Sequence, residues 1–434
     1  MVNWYSATQL AATGLKALIS GEFGHYADKR ELQAALCSDC DIYRFDEEEE
    51  LWIDFVSDTG DGFNSTYSIA KLVSEKNLKL ALKKENDHVN SHEADHDYYK
   101  GIVTQPGSVL VMGGDQVYPT PEMSEYENRF KVPFRAANPD SRSPHEKDHP
   151  KMFAIPGNHD WYDGLNNFIK LFCQGRRIGN WHTVQKRSYF AIKLPYNYWL
   201  WGTDVQLNSD IDQPQKDYFQ RVARDFMKDG DRVILCTAEP AWVYRQLSDK
   251  NESYKRLKYF EQLYITDDAY DLIGYKFKLV ATLTGDLHHY SRYEEMKEGG
   301  YINQLITAGG GGAFLHPTHF LPESLSKLAD EKFTFQKSGV KKDVPTLKAR
   351  FPSQKQSANL SWWNFIFPYL NKQFTVFLII AQLMLSWILQ GTTLSYKSGS
   401  FIEQVAASAN CLGFLQIVGE TLVRNPLFDL ISAV

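Results

Sequence analysis

Four short polar motifs interrupt this sequence, and each follows a run of apolar residues that is typical of a buried strand. They are Asp58-Thr59-Gly60, Gly114-Asp115-Gln116-Val117-Tyr118, Gly157-Asn158-His159-Asp160 and Gly285-Asp286-Leu287-His288. A single acidic residue after a strand is usually a turn or a helix cap. Four such motifs in one chain instead indicate a shared site, because layered α/β folds bind ligands beyond the carboxyl ends of their strands.

The rest of the chain alternates strand-like and helix-like patterns, which predicts an α/β layered domain. Short β-branched and aromatic runs predict strands at Trp52–Ser57, Val109–Met112, Met152–Ile155, Tyr189–Leu194, Tyr198–Trp201, Val233–Cys236, Lys278–Leu283 and Tyr301–Thr307. Helical patterns lie between several of them, at residues 66–83, 164–174, 214–228 and 254–272, and a further helical pattern covers residues 6–37.

Composition excludes several classes of protein. The 434 residues are 43% hydrophobic, which indicates a globular protein with a sizeable core. A net charge of -6 provides no basic surface for nucleic acid. Five scattered cysteines do not form a secreted disulfide framework, and the single CxxC at Cys37 and Cys40 is better read as two ordinary thiols than as half a zinc site.

The motifs suit the hydrolysis of a phosphate ester by two metal ions. Such ions neutralise phosphoryl oxygens and acidify a bridging water, and they need oxygen and imidazole ligands with one carboxylate shared. Asp58 and Asp115 supply carboxylates, and Asp115 is the natural shared ligand. Asn158 offers a carbonyl oxygen. Of the adjacent histidines, whose side chains diverge on an extended backbone, register selects His288 over His289.

On these motifs, residues 50–315 resemble the calcineurin-like metallophosphoesterase superfamily. The resemblance implies a two-layer β-sandwich flanked by helices, with a dinuclear metal centre. Asp58-Thr59-Gly60 and the tyrosine three residues after Asp115 resemble the purple acid phosphatase branch. That likeness implies that Asp58, Asp115, Tyr118 and His288 hold a first ion, with the tyrosine on ferric iron. The alternative is a Tyr118 that simply packs beside Pro119 in a turn.

The second ion of that family is where this sequence departs from the pattern. Asp286 stands where the family has a histidine, and the strand ending at Cys236 is followed by Glu239 rather than by a ligating histidine. The second ion would then have Asp115, Asn158, Asp286 and Glu239. Carboxylates in place of imidazoles favour Mg²⁺ or Mn²⁺ over Zn²⁺. The alternative is a weakened or empty second site.

Further residues near the motifs are candidates for supporting roles. The resemblance implies that His159 contacts the phosphate and protonates the leaving oxygen, with Asp160 orienting it; the alternative is a structural histidine. The glycine run 309–312, with His316 and His319 after it, either lines the phosphate cleft or forms a flexible loop.

The end of the sequence predicts attachment to a membrane. Residues 374–389 carry no charge and are bracketed by Trp and Tyr, so they predict a membrane helix, with a buried core helix as the alternative. Eight Lys and Arg residues at 325–360, together with the absence of a signal peptide, predict a catalytic domain on the cytoplasmic side. The apolar final residues favour further membrane sequence beyond them.

The sequence therefore predicts a helical segment at 1–50, a metallophosphoesterase domain at 51–325, a basic linker at 326–360 and a membrane-associated segment at 361–434. The predicted activity is the hydrolysis of a phosphomonoester or phosphodiester by metal-bound hydroxide, with Mn, Mg or Fe favoured over Zn. The alternatives are a non-catalytic, membrane-anchored scaffold with a degenerate metal site and a purple, iron-dependent enzyme. No loop of the sequence specifies the substrate.

Overall fold

A computed structural model describes most of the chain. It covers residues 1–23, 30, 33, 42–80, 102–141, 149–205, 211–248, 251–266, 273–297, 300–330 and 344–393. The cysteines of the CxxC motif, part of the predicted basic linker and residues 394–434 lie outside the described residues. The chain forms two compact units, of which the first comprises Met1–Val2 and Ala12–Trp362 and the second Asn3–Ala11 and Trp363–Val434.

The first unit is a mixed α/β fold with two large sheets. Its strands are β1 (Tyr43–Arg44), β2 (Ile53–Val56), β3 (Leu78–Leu80), β4 (Ile102–Thr104), β5 (Val109–Met112), β6 (Lys151–Ala154), β7 (Arg177–Ile178), β8 (Trp181–Thr183), β9 (Phe190–Leu194), β10 (Tyr198–Gly202), β11 (Arg232–Cys236), β12 (Lys278–Thr284), β13 (Tyr290–Lys297), β14 (Tyr301–Ala308) and β15 (Thr346–Phe351). An eight-stranded sheet has the order β1-β9-β10-β11-β12-β14-β13-β15, and a five-stranded sheet has the order β2-β5-β6-β8-β7. Strands β3 and β4 form a separate pair.

Helices connect and cover these strands. Their bounds are Ala7–Phe23, Phe63–Ser74, Met123–Glu125, Tyr126–Lys131, Val132–Ala137, Asn158–Trp161, Asn166–Phe172, Pro195–Asn197, Gln213–Phe226, Ala241–Leu247, Ser253–Tyr264, Ser326–Asp330, Gln354–Ser361, Trp362–Ile366, Phe367–Leu370 and Lys372–Thr393.

Alternating side chains of the strands divide the apolar core into three layers. Val109 and Val111 of β5 pack in one cluster with Phe190 and Ile192 of β9, so the two sheets share this core. The intervening residues of β5 and β6 pack with helices that cover the five-stranded sheet. Trp199 and the other alternate residues of β9 and β10 pack with helices on the outer face of the eight-stranded sheet. This period of two is the pattern expected of strands buried on both faces.

All of the strands that the sequence predicts are present, and their bounds differ from the predicted ones by no more than two residues at either end. Strand β13 was not predicted, because charged residues such as Arg292, Glu294 and Glu295 hide its alternation. The structure gives these charges partners: Lys297 Nζ lies 2.8 Å from Glu295 Oε1, and Lys348 Nζ lies 3.6 Å from Glu294 Oε2.

Segments on both sides of the predicted metallophosphoesterase domain pair with the strands or loops of the first unit. Strand β15 lies inside the predicted basic linker, yet it pairs antiparallel with β13. Arg350, counted as a linker charge, forms an ion pair with Glu323 at 2.6 Å. In the predicted N-terminal segment, β1 joins the large sheet beside β9, and Val2 N donates to Asp61 O at 2.7 Å. Backbone pairing thus ties both segments to the first unit.

The second unit contains short helices followed by the helix Lys372–Thr393, in which the predicted membrane run lies. Tyr5 packs against Phe367 and Phe374, with ring centroids 4.9 and 5.5 Å apart. Among the residues whose structure is described, no helix combines the length and apolar character needed to cross a bilayer. The predicted span at 374–389 is therefore not found.

Candidate metal centre

The four polar motifs meet where the two sheets end. Strands β2, β5 and β6 are parallel, and so are β11, β12 and β14. Asp58 follows β2, Asp115 follows β5, Asn158 follows β6 and Asp286 follows β12. Backbone hydrogen bonds join the loops, since Asp58 N donates to Gly114 O and Thr59 N to Asp115 O, both at 3.0 Å. The loops that follow these strand ends thus form one polar cluster.

Three aspartates of the cluster adopt left-handed backbone conformations. The φ angles are 61° at Asp58, 50° at Asp115 and 67° at Asp286. A residue other than glycine adopts this region at a cost, although aspartate tolerates it better than most residues. Such strain is concentrated at functional sites, where the surrounding structure maintains it. Its recurrence at three predicted ligands supports a site at this position.

The phenol of Tyr118 lies at the centre of the predicted first-ion ligands. Its oxygen is 3.1 Å from Asp58 Oδ1, 3.1 Å from Asp115 Oδ2 and 2.9 Å from His288 Nε2. His288 Nε2 is itself 3.6 Å from Asp58 Oδ1. The structure thus brings together all four residues, and Tyr118 is not merely packed in a turn.

The tautomer of His288 follows from its other nitrogen. Nδ1 lies 2.7 Å from Phe314 O, a pure acceptor, so Nδ1 carries the proton. Burial, and then His316, lower the pKa of His288 to about 3, so the imidazole is neutral and Nε2 has a lone pair. The ring of His316 stacks on it, with centroids 4.3 Å apart and planes 5° apart.

The first-ion ligands place buried carboxyl groups close together, so negative charge is crowded at this point. Tyr118 can donate its single proton to only one of three neighbours, and the carboxylates and Nε2 present lone pairs toward the same place. Burial raises the pKa of Asp58 well above its usual range, and the charge of Asp286 raises it further. Burial, and then the charge of Asp58, do the same for Asp115. A cation would relieve this shortage of positive charge, so the donor set fits a metal ion.

Whether these residues can bind a metal ion depends on Tyr118. In the described part of the chain, no group of three or more His, Cys, Asp or Glu side chains forms a metal site by itself. The phenol oxygen of Tyr118 separates the carboxylates and the imidazole, and any ion here would have to use that oxygen or displace it.

His159 and Asp160 lie beside this centre with different functions. His159 N donates to Asp115 Oδ1 at 2.9 Å, and its Nδ1 lies 2.8 Å from Pro119 O, so the carbonyl orients the ring. Asp160 accepts from Gly157 N at 2.9 Å and from the phenol of Tyr126. The carboxylate of Asp160 thus braces the loop around Gly157, and its predicted role in orienting His159 stays a prediction.

The predicted second-ion ligands are engaged by two phenols. Asp286 Oδ2 accepts a short hydrogen bond from Tyr244. Asn158 Nδ2 donates to Tyr162 Oη at 3.1 Å, and the amide oxygen faces the carboxylate of Asp115; a swapped amide would instead donate to Asp115 Oδ2 at 3.0 Å.

Two other residues named as candidates lie close to the same loops. Burial, and then the charge of Asp286, raise the pKa of Glu239 to about 7. His289 is buried, and neither ring nitrogen has a hydrogen-bond partner among the residues that the structure describes. His289 therefore does not share the contacts of its neighbour His288.

The glycine run after β14 packs against the centre. A Cβ on Gly309 would lie 2.7 Å from Asp58 Oδ2 and would overlap Leu287 O. Of the two alternatives for this run, the structure favours a lining segment, because only glycine allows the backbone so close to that carboxylate.

Sequence reasoning missed Tyr162 and Tyr244, and it gave His316 no role beyond the glycine run. Tyr162 lies four residues after Asn158, where a first helical turn brings side chains together, and that spacing was a usable signal. Tyr244 and His316 reach the cluster from separate elements, and no motif marks them.

Comparison with known proteins adds little. No protein-family model matches the chain, and no curated protein matches it. Among solved structures, a purple acid phosphatase isolated from yellow lupin (Lupinus luteus) seeds is similar at 12% sequence identity with a TM-score of 0.37. The match covers 62% of this chain and 46% of the lupin chain, less than half of that protein's length.

Proposed function

We propose that this chain is a metal-dependent hydrolase of phosphate esters. The observation that carries the proposal is the meeting of two buried carboxylates and one imidazole lone pair around the phenol of Tyr118, whose oxygen lies within 3.1 Å of all three. The strained aspartates at the strand ends support it. A two-sheet metallophosphoesterase architecture is part of the proposal, supported by the core that the two sheets share.

Asp58, Asp115, Tyr118 and His288 would hold the ion. When bound, it would neutralise phosphoryl oxygens and acidify a water at neutral pH. Oxygen donors dominate this set, which favours Mn²⁺, Mg²⁺ or iron over Zn²⁺. Main-chain and carbonyl contacts fix the donors, since Asp286 N donates to both oxygens of Asp58 at 3.0 and 3.1 Å.

His159 is the proposed catalytic side chain. Its Nδ1 proton is held by Pro119 O, so the lone pair of the neutral ring is on Nε2. Burial lowers the pKa of His159 to about 4, which keeps the ring neutral at pH 7. The neutral ring can accept a hydrogen bond from a water or a substrate hydroxyl, whereas protonation of the leaving oxygen would need the protonated ring.

The test is metal analysis of the full chain combined with a screen of p-nitrophenyl phosphate and bis(p-nitrophenyl) phosphate. We expect turnover of at least one ester with Mn²⁺, Mg²⁺ or iron, loss of turnover in a chelator and recovery when metal returns. An iron-loaded protein with Tyr118 as ligand should absorb visible light, and Tyr118→Phe should remove that band. A chain that binds no metal and cleaves neither ester would contradict the proposal and favour the non-catalytic scaffold.

We also propose that the second unit binds a membrane surface. Its aromatic and apolar side chains are exposed, with Trp363 at 63%, Tyr369 at 78% and Leu383 at 65%. Residues 363–402 of this unit contain no Asp or Glu, but they include Lys372 and Lys397. Interfacial aromatics with nearby basic residues suit an anionic lipid surface. Since such lipids are concentrated in the cytoplasmic leaflet, the catalytic unit would face the cytoplasm.

Vesicle flotation of the full chain tests this association. We expect the wild type to bind phosphatidylserine-containing vesicles. A Trp363→Ala/Tyr369→Ala variant should partition at least tenfold more weakly, which is roughly the effect of removing two aromatic side chains that become buried in the lipid surface. Tyr196→Ala is the matched control, because Tyr196 is 73% exposed in the first unit. Equal flotation of all three proteins would exclude this surface as the lipid contact.

A further inference from the structure

Neutral groups surround the carboxylates of the proposed metal centre. Among the residues that the structure describes, no Lys or Arg side chain contacts the carboxylates of Asp58, Asp115 or Asp286. Their partners are hydroxyl, imidazole and backbone N–H groups, which belong to Ser57, Tyr118, Tyr244, His288, His159 and Asp286 itself. The charge of these carboxylates is therefore not offset by a cationic side chain in contact with them.

Elsewhere in the first unit, buried acids do have cationic partners. Lys258 Nζ lies 2.5 Å from Glu261 Oε2, and Lys297 Nζ lies 2.8 Å from Glu295 Oε1. The surroundings of the metal centre thus differ from those of other buried acids in the same unit.

Aromatic rings lie beside the carboxylates instead. The ring centroid of Tyr118 lies 4.5 Å from that of His159 and 5.7 Å from that of His288. Tyr162 continues this row beyond His159 at 4.9 Å, and Phe314 continues it beyond His288 at 4.6 Å. These five residues form a ring row that passes through the first-ion ligands.

Phe314, at one end of the ring row, is accessible to a ligand and fixed in position. Its side chain is 39% exposed. Its carbonyl oxygen lies 2.7 Å from His288 Nδ1, and the preceding Ala313 N donates to Asp58 O at 3.1 Å. A partly exposed ring fixed beside candidate ligands offers a stacking surface to an aromatic group of a molecule bound at the centre, since aromatic pairs are favourable beyond their buried area.

The two classes of phosphate ester differ in charge. A monoester carries close to two negative charges above its second pKa of about 6, whereas a diester carries one. Arg and Lys are the side chains that proteins commonly use to bind phosphate groups. Without them, each further negative charge near buried carboxylates is unfavourable, because repulsion is stronger where water is excluded. The centre therefore suits a monoanionic phosphate better than a dianionic one.

We propose that the substrate is a phosphodiester with an aromatic ester group, which stacks on Phe314 while its single negative charge lies at the centre. This inference rests on the proposed function, since it assumes a metal-loaded hydrolase. It assigns Phe314 as a residue that determines specificity.

Three ligands that cannot be hydrolysed separate charge from aromatic contact, because they have carbon on phosphorus in place of ester oxygens. Phenylphosphonate is a dianion at pH 8, methyl(phenyl)phosphinate is a monoanion with the same ring, and dimethylphosphinate is a monoanion without a ring. In calorimetric titration of the full chain loaded with Mn²⁺, methyl(phenyl)phosphinate should bind about tenfold more tightly than either of the others.

Phe314→Ala should weaken the binding of methyl(phenyl)phosphinate by about three- to tenfold and remove most of its advantage over dimethylphosphinate. Tyr275→Ala is the matched control. Tyr275 is 38% exposed and precedes β12, whose opposite end leads to Asp286, so this variant should keep the preference of the wild type.

Turnover gives a second measurement with a common leaving group. The value of kcat/KM should fall from bis(p-nitrophenyl) phosphate to methyl p-nitrophenyl phosphate and again to p-nitrophenyl phosphate. Phe314→Ala should reduce the first of these differences, chiefly through KM.

The outcomes separate this inference from the proposed function. Tighter binding of phenylphosphonate together with faster cleavage of the monoester would overturn the inference and leave the hydrolase proposal standing. Equal binding of the two phosphinates by the wild type would overturn the role of Phe314, and this comparison decides the matter even if Phe314→Ala does not fold. A chain that binds no metal and cleaves no ester would overturn the proposed function and the inference with it.

Discussion

Replacement of Asp115 by asparagine should lower phosphoesterase turnover by more than about 100-fold, because groups that merely support a metal ligand already contribute roughly 10- to 100-fold. Asp115 Oδ2 lies 3.1 Å from the Tyr118 oxygen, and Oδ1 accepts from His159 N. The variant should keep its fold, since asparagine has the same shape. Turnover, Mn²⁺ titration and circular dichroism measure these effects. Near-normal turnover in the folded variant would refute the assignment of Asp115 as a ligand.

The same substitution should stabilise the metal-free protein at alkaline pH. Burial, and then the charge of Asp58, raise the pKa of Asp115 in the folded state, whereas the unfolded value is about 3.9. The folded state therefore binds a proton that the unfolded state releases, so wild-type stability falls as pH rises above about 4. Asparagine has no such proton. In chelator, Asp115→Asn should melt above the wild type at pH 8, and the difference should shrink toward pH 4.

Replacement of Gly157 by alanine should cause a large loss of stability. A Cβ at Gly157 would overlap both Asp115 Oδ1 and the backbone nitrogen of Asp115. Added carbon in a closed core costs about 1–3 kcal/mol, and backbone cannot move aside as a flexible side chain can, so we expect the upper end of that range. Thermal unfolding should shift down by several degrees, and Mn²⁺ binding should weaken with it.

Gly310→Ala is the control for that prediction. No atom lies within 4 Å of a Cβ built at Gly310, although it belongs to the glycine run that packs on the centre. Its stability should stay within about 0.5 kcal/mol of the wild type. If Gly157→Ala unfolds at the same temperature as Gly310→Ala, the loop around Asp115 has more room than the structure shows.

The strands illustrate how far the sequence could predict the fold. Strand β5 was predicted at its observed bounds, because Val109–Met112 is a short, wholly apolar run between turn residues. Strand β15 was assigned instead to a linker, because Lys348 and Arg350 suggested a basic segment. Arg350 has an ion pair with Glu323, and only the tertiary pairing with β13 supplies that partner.

The sequence also determined only part of the candidate site. The sequence by itself determined which residues could be ligands, since Asp58, Asp115, Tyr118 and His288 follow strands in recognisable local motifs. Local motifs are readable because strand ends and tight turns restrict the residues that fit there.

Only the tertiary structure decided which other side chains contact the candidate ligands. Tyr244 reaches Asp286 from a helix 42 residues away in sequence, and His316 stacks on His288 from the loop after β14. Such contacts depend on how separate elements pack, and a linear pattern does not encode the resulting distances. The sequence thus determined the candidate donors of the centre, whereas the packing of the two sheets and their helices decided which of them meet around the Tyr118 oxygen and which contact other phenols.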